Sequence, residues 1–300
     1  MTDLADLTGI LTGDYQHHYN GLTFGAGTSM EIVADSGLRG YTARVTDRER
    51  DRGHGASRGP SWTVARDIEL TLEVIGAAAD CEAALADIAA AFGPQVTGVL
   101  PLVSRLAGEI DTVHYCYPTG LPWELAAGRE RVRQARVALR APDPRIYSAE
   151  ALEVVVPLYT GGGGSGFNSP IVNAPVNMTA VTVQEAVVVN LGRHDAWPLI
   201  RFRVDSGTAT SVTLLNSTTG EQVTVTTSIT AGQVLTFDAA AAADVSDGRI
   251  VDLSTAQRYS SWQPPYTGLR LAPGGNVLRA TAVGTAGVTV TVTYQHTSLA

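Results

Sequence analysis

The feature that most constrains the fold is a succession of short segments rich in valine and threonine that begins at about Ile171. Clusters of turn residues, such as those at 216–220, separate these segments. Valine and threonine favour strands, and short strands at this spacing are typical of a two-sheet sandwich or jelly roll. The predicted strands are residues 181–190, 198–204, 211–215, 222–228, 233–238, 276–283 and 288–295. The second half of the chain is therefore predicted to be all-β.

The first half mixes strands with one predicted helix. From Val64 to Ile75, apolar and polar residues alternate, as in an antiparallel strand that is buried on one face. Asp80 stands where a helix N-cap belongs, and Gly93-Pro94 would end that helix. Its apolar residues at helical spacing are Ala83, Ala84, Leu85, Ile88 and Ala91. Further strands are predicted at residues 98–103, 110–117 and 131–140. The expected fold class is mainly β, with the helix in the first half.

A glycine-rich tract at residues 161–166 marks the strongest candidate boundary. A chain of 300 residues exceeds what one hydrophobic core usually serves, and such a tract behaves as a linker or open loop. It matches the pattern G-x-G-x-x-G, but residues 167–170 do not begin the helix that a dinucleotide site needs. We predict a first domain at residues 1–150, a linker at 151–170 and a second domain at 171–300.

The charge of the chain excludes a broad nucleic-acid-binding surface. The net charge is −8, and all 21 basic residues are arginines, whereas nucleic-acid binders present a basic footprint. The local exception lies at residues 39–58, where six arginines accompany Asp47, Glu49 and Asp51. No stretch approaches the ~20 apolar residues of a membrane span, and the N-terminus lacks the pattern of a secretory signal. We therefore expect no sequence-specific nucleic-acid recognition, no membrane insertion and synthesis in the cytoplasm.

No group of residues in the sequence forms a recognisable reaction centre. Metal-binding patterns such as H-E-x-x-H and the nucleophile elbow G-x-S-x-G are absent. Asp244, Asp247 and Asp252 lack the spacing of a calcium loop. Cys81 and Cys116 are predicted to be reduced and buried, although a disulfide between them stays open. The sequence thus predicts no catalytic residue, no cofactor and no metal.

An ordered series of short motifs resembles distal tail proteins, the ring-forming adaptors at the tip of long, non-contractile bacteriophage tails. In the first half these are Gly21-Leu22-Thr23-Phe24-Gly25, an arginine-rich loop containing residues 52–56, and the strand that opens at Arg66. In the second half they are residues 198–203, 216–220, 233–238 and 271–276. No single motif is specific, so the resemblance depends on their order and spacing.

The resemblance implies a ring-forming β-sandwich domain with one helix, followed by a galectin-like β-sandwich domain. It also implies a homo-hexameric ring in the virion, which would link the tail tube protein to the tail hub and would also meet the tape measure protein. Synthesis would take place in the host cytoplasm. This chain has no additional domain of the kind that some relatives insert to bind carbohydrate.

Two arginine-rich segments are the candidate contacts between subunits. Gly53, Gly55 and Gly59 make an ordinary strand or helix unexpected between residues 39 and 58, and arginine side chains there can form forked contacts with carboxylates. A solvated mobile loop is the alternative. The segment 131–140 interleaves Arg or Gln with Val and Ala, so one face is wet or contacts a partner. The residues proposed for the interface are Arg48, Arg50, Arg52, His54, Arg58, Arg131 and Arg133.

A carbohydrate-binding adhesion module is the second interpretation. Tyr259, Trp262 and Tyr266 stand beside Pro264-Pro265 in the second half. They could form an aromatic platform for a sugar ring, although packing of a long loop onto the sandwich is favoured. An enzyme is the least favoured interpretation, because no acid, base and nucleophile can be combined.

Overall fold

The computed structural model describes residues 6–46, 48–49, 56–57, 59, 61–120, 132–158, 185–239, 250–252, 258–259, 269–284 and 287–299. Side chains are described throughout these ranges except at residues 48, 49, 56, 57, 61, 62, 250–252, 258 and 259. The chain divides into two compact units. The first unit contains residues 6–150 and 296–299, and the second contains residues 151–295.

Antiparallel strands and a helix form the first unit. The strands are β1 (Gln16–Tyr19), β2 (Leu22–Gly25), β3 (Met30–Ser36), β4 (Ala43–Val45), β5 (Arg48–Glu49), β6 (Ala56–Ser57), β7 (Ser61–Thr63), β8 (Arg66–Ile75), β9 (Leu100–Arg105), β10 (Thr112–Gly120), β11 (Val132–Ala141) and β12 (Ile146–Ser148). The main sheet has the order β2-β1-β9-β10-β11-β8-β3. The first half of β10 pairs with β9 and its end pairs with β11, so this strand joins the two parts of the sheet.

The alternation predicted for residues 64–75 is confirmed in β8. Ile68, Leu70, Leu72 and Val74 are buried, while the residues between them face away from the core. The buried residues pack with the helix α1 (Ala78–Phe92) in one hydrophobic cluster. Burial of apolar side chains is the main favourable term in folding. It explains why β8 and α1, which are adjacent in the sequence, pack against each other through their apolar faces.

Two details of the predicted helix are wrong. Its N-cap is Ala77, which makes no capping hydrogen bond through a side chain, and Asp80 lies in the first turn. A carboxylate in the first turn interacts favourably with the helix dipole. Aspartate therefore suits the first turn as well as the N-cap position that was predicted for it. Ala83 is exposed, whereas Cys81 and Phe92 are buried with the other predicted residues. Gly93 ends the helix as predicted.

The second unit is a two-sheet antiparallel sandwich. Its strands are β13 (Leu152–Val156), β14 (Ala186–Asn190), β15 (Leu199–Ser206), β16 (Thr208–Asn216), β17 (Glu221–Val225), β18 (Ile229–Thr230), β19 (Val234–Asp238), β20 (Ile250–Asp252), β21 (Arg258–Tyr259), β22 (Gly274–Gly284) and β23 (Gly287–Tyr294). One sheet has the order β13-β23-β15-β19-β20-β21, and the other has β14-β22-β16-β17 with β18 beside β16. Ile200, Phe202, Leu214 and Val290 lie in the core between the sheets. The prediction of a mainly β chain is therefore confirmed.

A short last strand, β24 (Thr297–Ser298), belongs to the first unit. It pairs antiparallel with β12, with Ile146 opposite Ser298 and Tyr147 opposite Thr297. The second unit is thus inserted into the first between β12 and β24, which the sequence did not indicate. Among the described helices, none is long and apolar enough to cross a membrane.

Candidate subunit interface

The segment predicted as an irregular arginine-rich loop contains a two-stranded arm, which we define as residues 41–63. Strands β4 and β7 pair with each other, and β5 pairs with β6. Within the described strands, these four pair with no others. The side chains of residues 41–46 are all exposed, including Tyr41 at 60% and Val45 at 49%. The prediction that this segment contains no ordinary strand is wrong for β4, β5, β6 and β7. Gly53 and Gly55 lie outside the described residues.

Gly59 lies at a position of the arm where the two backbones approach each other closely. The register shifts by one residue between the β4–β7 pair and the β5–β6 pair, as at a β-bulge. A Cβ at Gly59 would lie 1.5 Å from the carbonyl oxygen of Thr46. Glycine is required there because the two backbones approach too closely for a side chain, so it permits the pairing that it was expected to prevent.

The arm joins the body of the first unit through a tightly held base. The backbone enters through Gly37, whose φ is +79° and whose Cβ would lie 2.0 Å from the carbonyl oxygen of Asp67. The next carbonyl, of Leu38, accepts a 3.1 Å hydrogen bond from Nε2 of His114. Arg39 then pairs with Glu109. Three successive residues are thus fixed before the exposed part of the arm begins.

Buried cationic and imidazole groups surround this base. The guanidinium of Arg66 donates to the carbonyls of Gly37, Pro144 and Leu299, and its burial lowers its pKa. Burial also lowers the pKa of His114 to about 4, and the nearby Arg66 charge acts in the same direction. Burial lowers the pKa of His17, which lies 2.9 Å from Ser104 Oγ, to about 4. Both rings are therefore neutral near pH 7.

Most of the predicted interface residues lie where the structure gives no side chain. Arg48 is described only as a backbone position in β5. Arg50, Arg52, His54, Arg58 and Arg131 lie outside the described residues, and so do Trp262 and Tyr266 of the aromatic group. Tyr259 is described only as backbone in β21. The roles assigned to these side chains remain predictions.

Arginines of β11 contact carboxylates within their own unit. Arg133 is on the helix side of the strand, with Nε 3.9 Å from Glu82 on α1. On the outer face, Arg136 pairs with Glu69, and Arg140 lies 3.3 Å from Asp67. The alternation of residues in the sequence predicted the polar face of β11. It could not predict that Glu69 and Asp67 are the partners of these arginines, because the pairing of β11 with β8 cannot be read from the local sequence.

The outer face of the β3–β8 pair is acidic. Glu31 stands directly opposite Glu73 in the register of these strands. Like charges at this position of a sheet repel each other. Glu73 accepts a 2.7 Å hydrogen bond from Gln134 of β11. Because the amide of Gln134 is neutral, it does not compensate the negative charge of Glu73. A shallow cleft of about 260 Å³ beside it is lined by Asp35, Glu69 and Arg136.

Neither cysteine nor metal chemistry is evident in the described part of the chain. Cys81 and Cys116 are both buried and form no disulfide, and burial raises the pKa of the Cys116 thiol to about 12. A thiol with such a pKa is unreactive near neutral pH. No group of three or more His, Cys, Asp or Glu side chains within the described ranges is arranged to hold a metal ion.

Comparison with known proteins gives one family match and several fold matches. Residues 191–297 match the family described as siphovirus-type tail component, C-terminal domain. The crystal structure of SPP1 Dit, described as a paradigm of the hub adsorption apparatus in phages that infect Gram-positive bacteria, is 15% identical with a TM-score of 0.61. Two structures of the phage P2 baseplate in its activated conformation, with calcium and with strontium, are 10% identical, with TM-scores of 0.52 and 0.51.

Each of these fold matches covers 93% of this chain and 97% of the other. A comparison with curated protein sequences gives no match. The fold similarity therefore includes both units, whereas the sequence match falls within the second half. Residues 191–297 thus match the C-terminal domain of siphovirus-type tail components, and the fold shared with SPP1 Dit extends over both units.

Proposed function

We propose that this protein forms a homo-hexameric ring at the distal end of the phage tail, where it links the tail tube to the tip or hub complex. A structural role in the tail hub is supported by the similarities to phage hub and baseplate proteins. The proposal that the protein forms a ring between the tail tube and the hub depends on the arm. Its function is architectural: a closed ring presents one repeated surface to the tube and another to the hub.

The observation that carries the proposal is the charge and exposure of the arm. The arm, residues 41–63, contains five arginines and three carboxylates, a net charge of +2 in a chain of −8, so the remainder carries −10. An isolated two-stranded ribbon is marginally stable in water, and this ribbon exposes Tyr41 and Val45. A basic ribbon with exposed apolar side chains is suited to bind an acidic surface of a neighbouring subunit.

The acidic outer face of β3 and β8 is the surface that fits this requirement. Glu31 and Glu73 are opposed there, so an arginine supplied by a neighbour would relieve a repulsion that exists within the isolated subunit. The arm and this face are different surfaces, so the contact is heterologous. Contacts of that kind generate rings when the rotation between subunits closes.

The remaining assignments are part of the same proposal. Arg48, Arg50, Arg52, His54 and Arg58 belong to the arm side of the interface, and Arg131 and Arg133 to the start of β11. The tail tube protein, the tail hub protein and the tape measure protein are the expected neighbours. The protein acts at the tail tip of the virion after synthesis in the host cytoplasm, and its role is structural and not enzymatic.

Replacement of Arg48, Arg50 and Arg52 together by alanine tests the proposal. We expect the parent protein to form rings in electron micrographs and light scattering, at high concentration or with a tail partner bound. The triple variant should lose rings but keep its unfolding free energy, because exposed charges contribute little to folding. The control replaces Arg193, Arg203 and Arg270, which are exposed in the second unit, and so removes the same charge away from the proposed interface. Equal loss of rings in both variants, or a monomer inside the virion tail, would contradict the proposal.

A further inference from the structure

The buried side chain of Arg66 connects three separate segments of the first unit. Its residue is 6% exposed. Nη1 donates to the carbonyl of Gly37 at 3.0 Å, and Nε and Nη2 donate to that of Pro144 at 3.1 and 2.8 Å. Nη2 also donates to the carbonyl of Leu299 at 2.8 Å. The planar fork of a guanidinium is suited to such a set of acceptors, and an ammonium group is not.

The position of Arg66 links the arm to the last described segment. Arg66 is the first residue of β8, three residues after the end of the arm, and Gly37 lies four residues before the arm begins. One guanidinium thus holds both ends of the arm base. The third acceptor, Leu299, follows β24, which is the strand that returns from the second unit. The segment 296–299 therefore contributes directly to the anchor of the arm.

The segment 296–299 is itself firmly placed in the first unit. The amide of Ser148 donates to the carbonyl of His296 at 2.9 Å, and the amide of His296 donates to Ser148 Oγ at 3.0 Å. Thr297 is 1% exposed. These contacts fix the Leu299 carbonyl over Arg66, so the anchor is a built feature of the first unit and not a surface contact.

We infer that the segment 296–299 controls the orientation of the arm, with Arg66 as the positioning residue between them. The inference rests on the proposed role of the arm in assembly. Because β24 follows the second unit in the sequence, the anchor is completed only after residues 151–295 have been synthesised. A chain that has not reached this point carries an arm without its full anchor, so assembly waits until both units have been made.

The anchor can be disrupted from either side without altering the arm itself. Ser298→Pro disrupts the pairing of β24 with β12, because Ser298 lies opposite Ile146 at a hydrogen-bonded position of the ladder, and proline removes the amide that faces β12. Ser298→Thr is the matched control, since threonine keeps the hydroxyl and favours strands. Arg66→Lys keeps the positive charge but cannot reach three carbonyls. The lysine variant tests the inference independently should the proline variant fail to fold.

A nitroxide label near the base reports the order of the arm in the full chain. The label is attached through Tyr41→Cys, at a site that is 60% exposed, while Cys81 and Cys116 are buried and protected from labelling. We expect the slow-motion component of the spectrum to be lost in Ser298→Pro and Arg66→Lys and kept in Ser298→Thr. In unlabelled protein, ring assembly should weaken about tenfold, which corresponds to one lost hydrogen bond to a charged donor.

The two measurements separate this inference from the proposed function. Unchanged label mobility in both disrupted variants would overturn the inference, whether or not rings are lost. Increased mobility with unchanged assembly would confirm the anchor and contradict the role of the arm in the ring. Increased mobility together with weakened assembly supports both.

Discussion

Nδ2 of Asn216 donates a 3.0 Å hydrogen bond to Oδ1 of Asn276, and both residues are 0% exposed. Asn276 also donates to the carbonyls of Ala272 and Gly274 and accepts from the amide of Ala272. Asn216 donates to the carbonyl of Arg270. These two side chains therefore replace missing backbone partners where two loops meet at one end of the second-unit sandwich.

Replacing Asn276 by Asp should destabilise the second unit by about 3 kcal/mol, since two donors are lost and a carboxylate is buried against carbonyl oxygens. Gln222→Glu is the control, because the same amide-to-acid change is made at an exposed position. Urea unfolding of both variants measures the difference. If the two changes cost the same, the asparagine pair does not contribute the stability assigned to it.

A second prediction concerns the backbone at the arm base. Gly37→Ala should cost at least about 3 kcal/mol, because the new methyl group would meet the Asp67 carbonyl in addition to the positive-φ penalty. Gly40→Ala should cost only about 1 kcal/mol, since Gly40 has a similar φ of +76° but no atom within 4 Å of a Cβ. Thermal unfolding of the two variants compares the effects. Equal destabilisation by the two substitutions would mean that the backbone around Gly37 shifts to accommodate the added methyl group.

The sequence predicted most of what depends on local periodicity. The alternation in β8 placed Ile68 and Leu70 in the core, and helical spacing placed Leu85 and Ile88 against them. The sequence could not predict the role of Arg66, because its acceptors are distant in the chain. Nor could it predict the pairing of Asn276 with the distant Asn216, since a polar residue considered in isolation is expected to be exposed to solvent. Asn216 was interpreted as a turn residue and Asn276 as the first residue of a strand, and neither interpretation includes their burial.

The arm was identified for its charge but was assigned the wrong conformation. Glycine at position 59 was interpreted as a strand breaker, because local propensity treats it so. The structure shows that pairing with a partner strand decides the outcome, with Gly59 accommodating the Thr46 carbonyl. Strand β24 was also missed, since a two-residue strand has no detectable period. The proposed interface residues inside the arm remain predictions.

The third prediction is a loss of first-unit stability between pH 7 and pH 5. Burial lowers the folded-state pKa of His17 and His114 to about 4, below the value of about 6.5 in an unfolded chain. The unfolded state therefore binds more protons in this range. Each histidine contributes stability that is present above pH 6.5 and decreases as the pH falls towards 4, by up to about 1.4 kcal/mol per pH unit.

Urea unfolding of the parent and of a His17→Asn, His114→Asn double variant, at pH 7, 6 and 5, measures this dependence. The double variant should be less stable at pH 7, because the contacts with Ser104 and the Leu38 carbonyl are lost. Its stability should change less over the same range. Parallel pH profiles for the two proteins would show that other groups cause the acid sensitivity.

The last prediction is that ring assembly weakens as salt concentration rises. The arm carries +2 and the remainder of the chain −10, so contact between the arm of one subunit and the body of another is attractive at long range. At about 0.15 M ionic strength the Debye length is about 8 Å, and at 1 M it is about 3 Å. Added salt should therefore screen most of the attraction between exposed groups, whereas apolar contacts through Tyr41 and Val45 should persist.

Light scattering in 0.05, 0.15 and 0.5 M sodium chloride follows the association constant of the ring. The Arg48, Arg50 and Arg52 triple variant should show a shallower salt dependence as well as weaker assembly, because the charges that salt screens have been removed. A variant with Tyr41→Ala should assemble less well at every salt concentration but keep the slope of the parent protein, since tyrosine contributes area and not charge. An association constant that rises with salt would instead assign the ring contact to apolar burial, and the charge of the arm would then have no part in holding the subunits together.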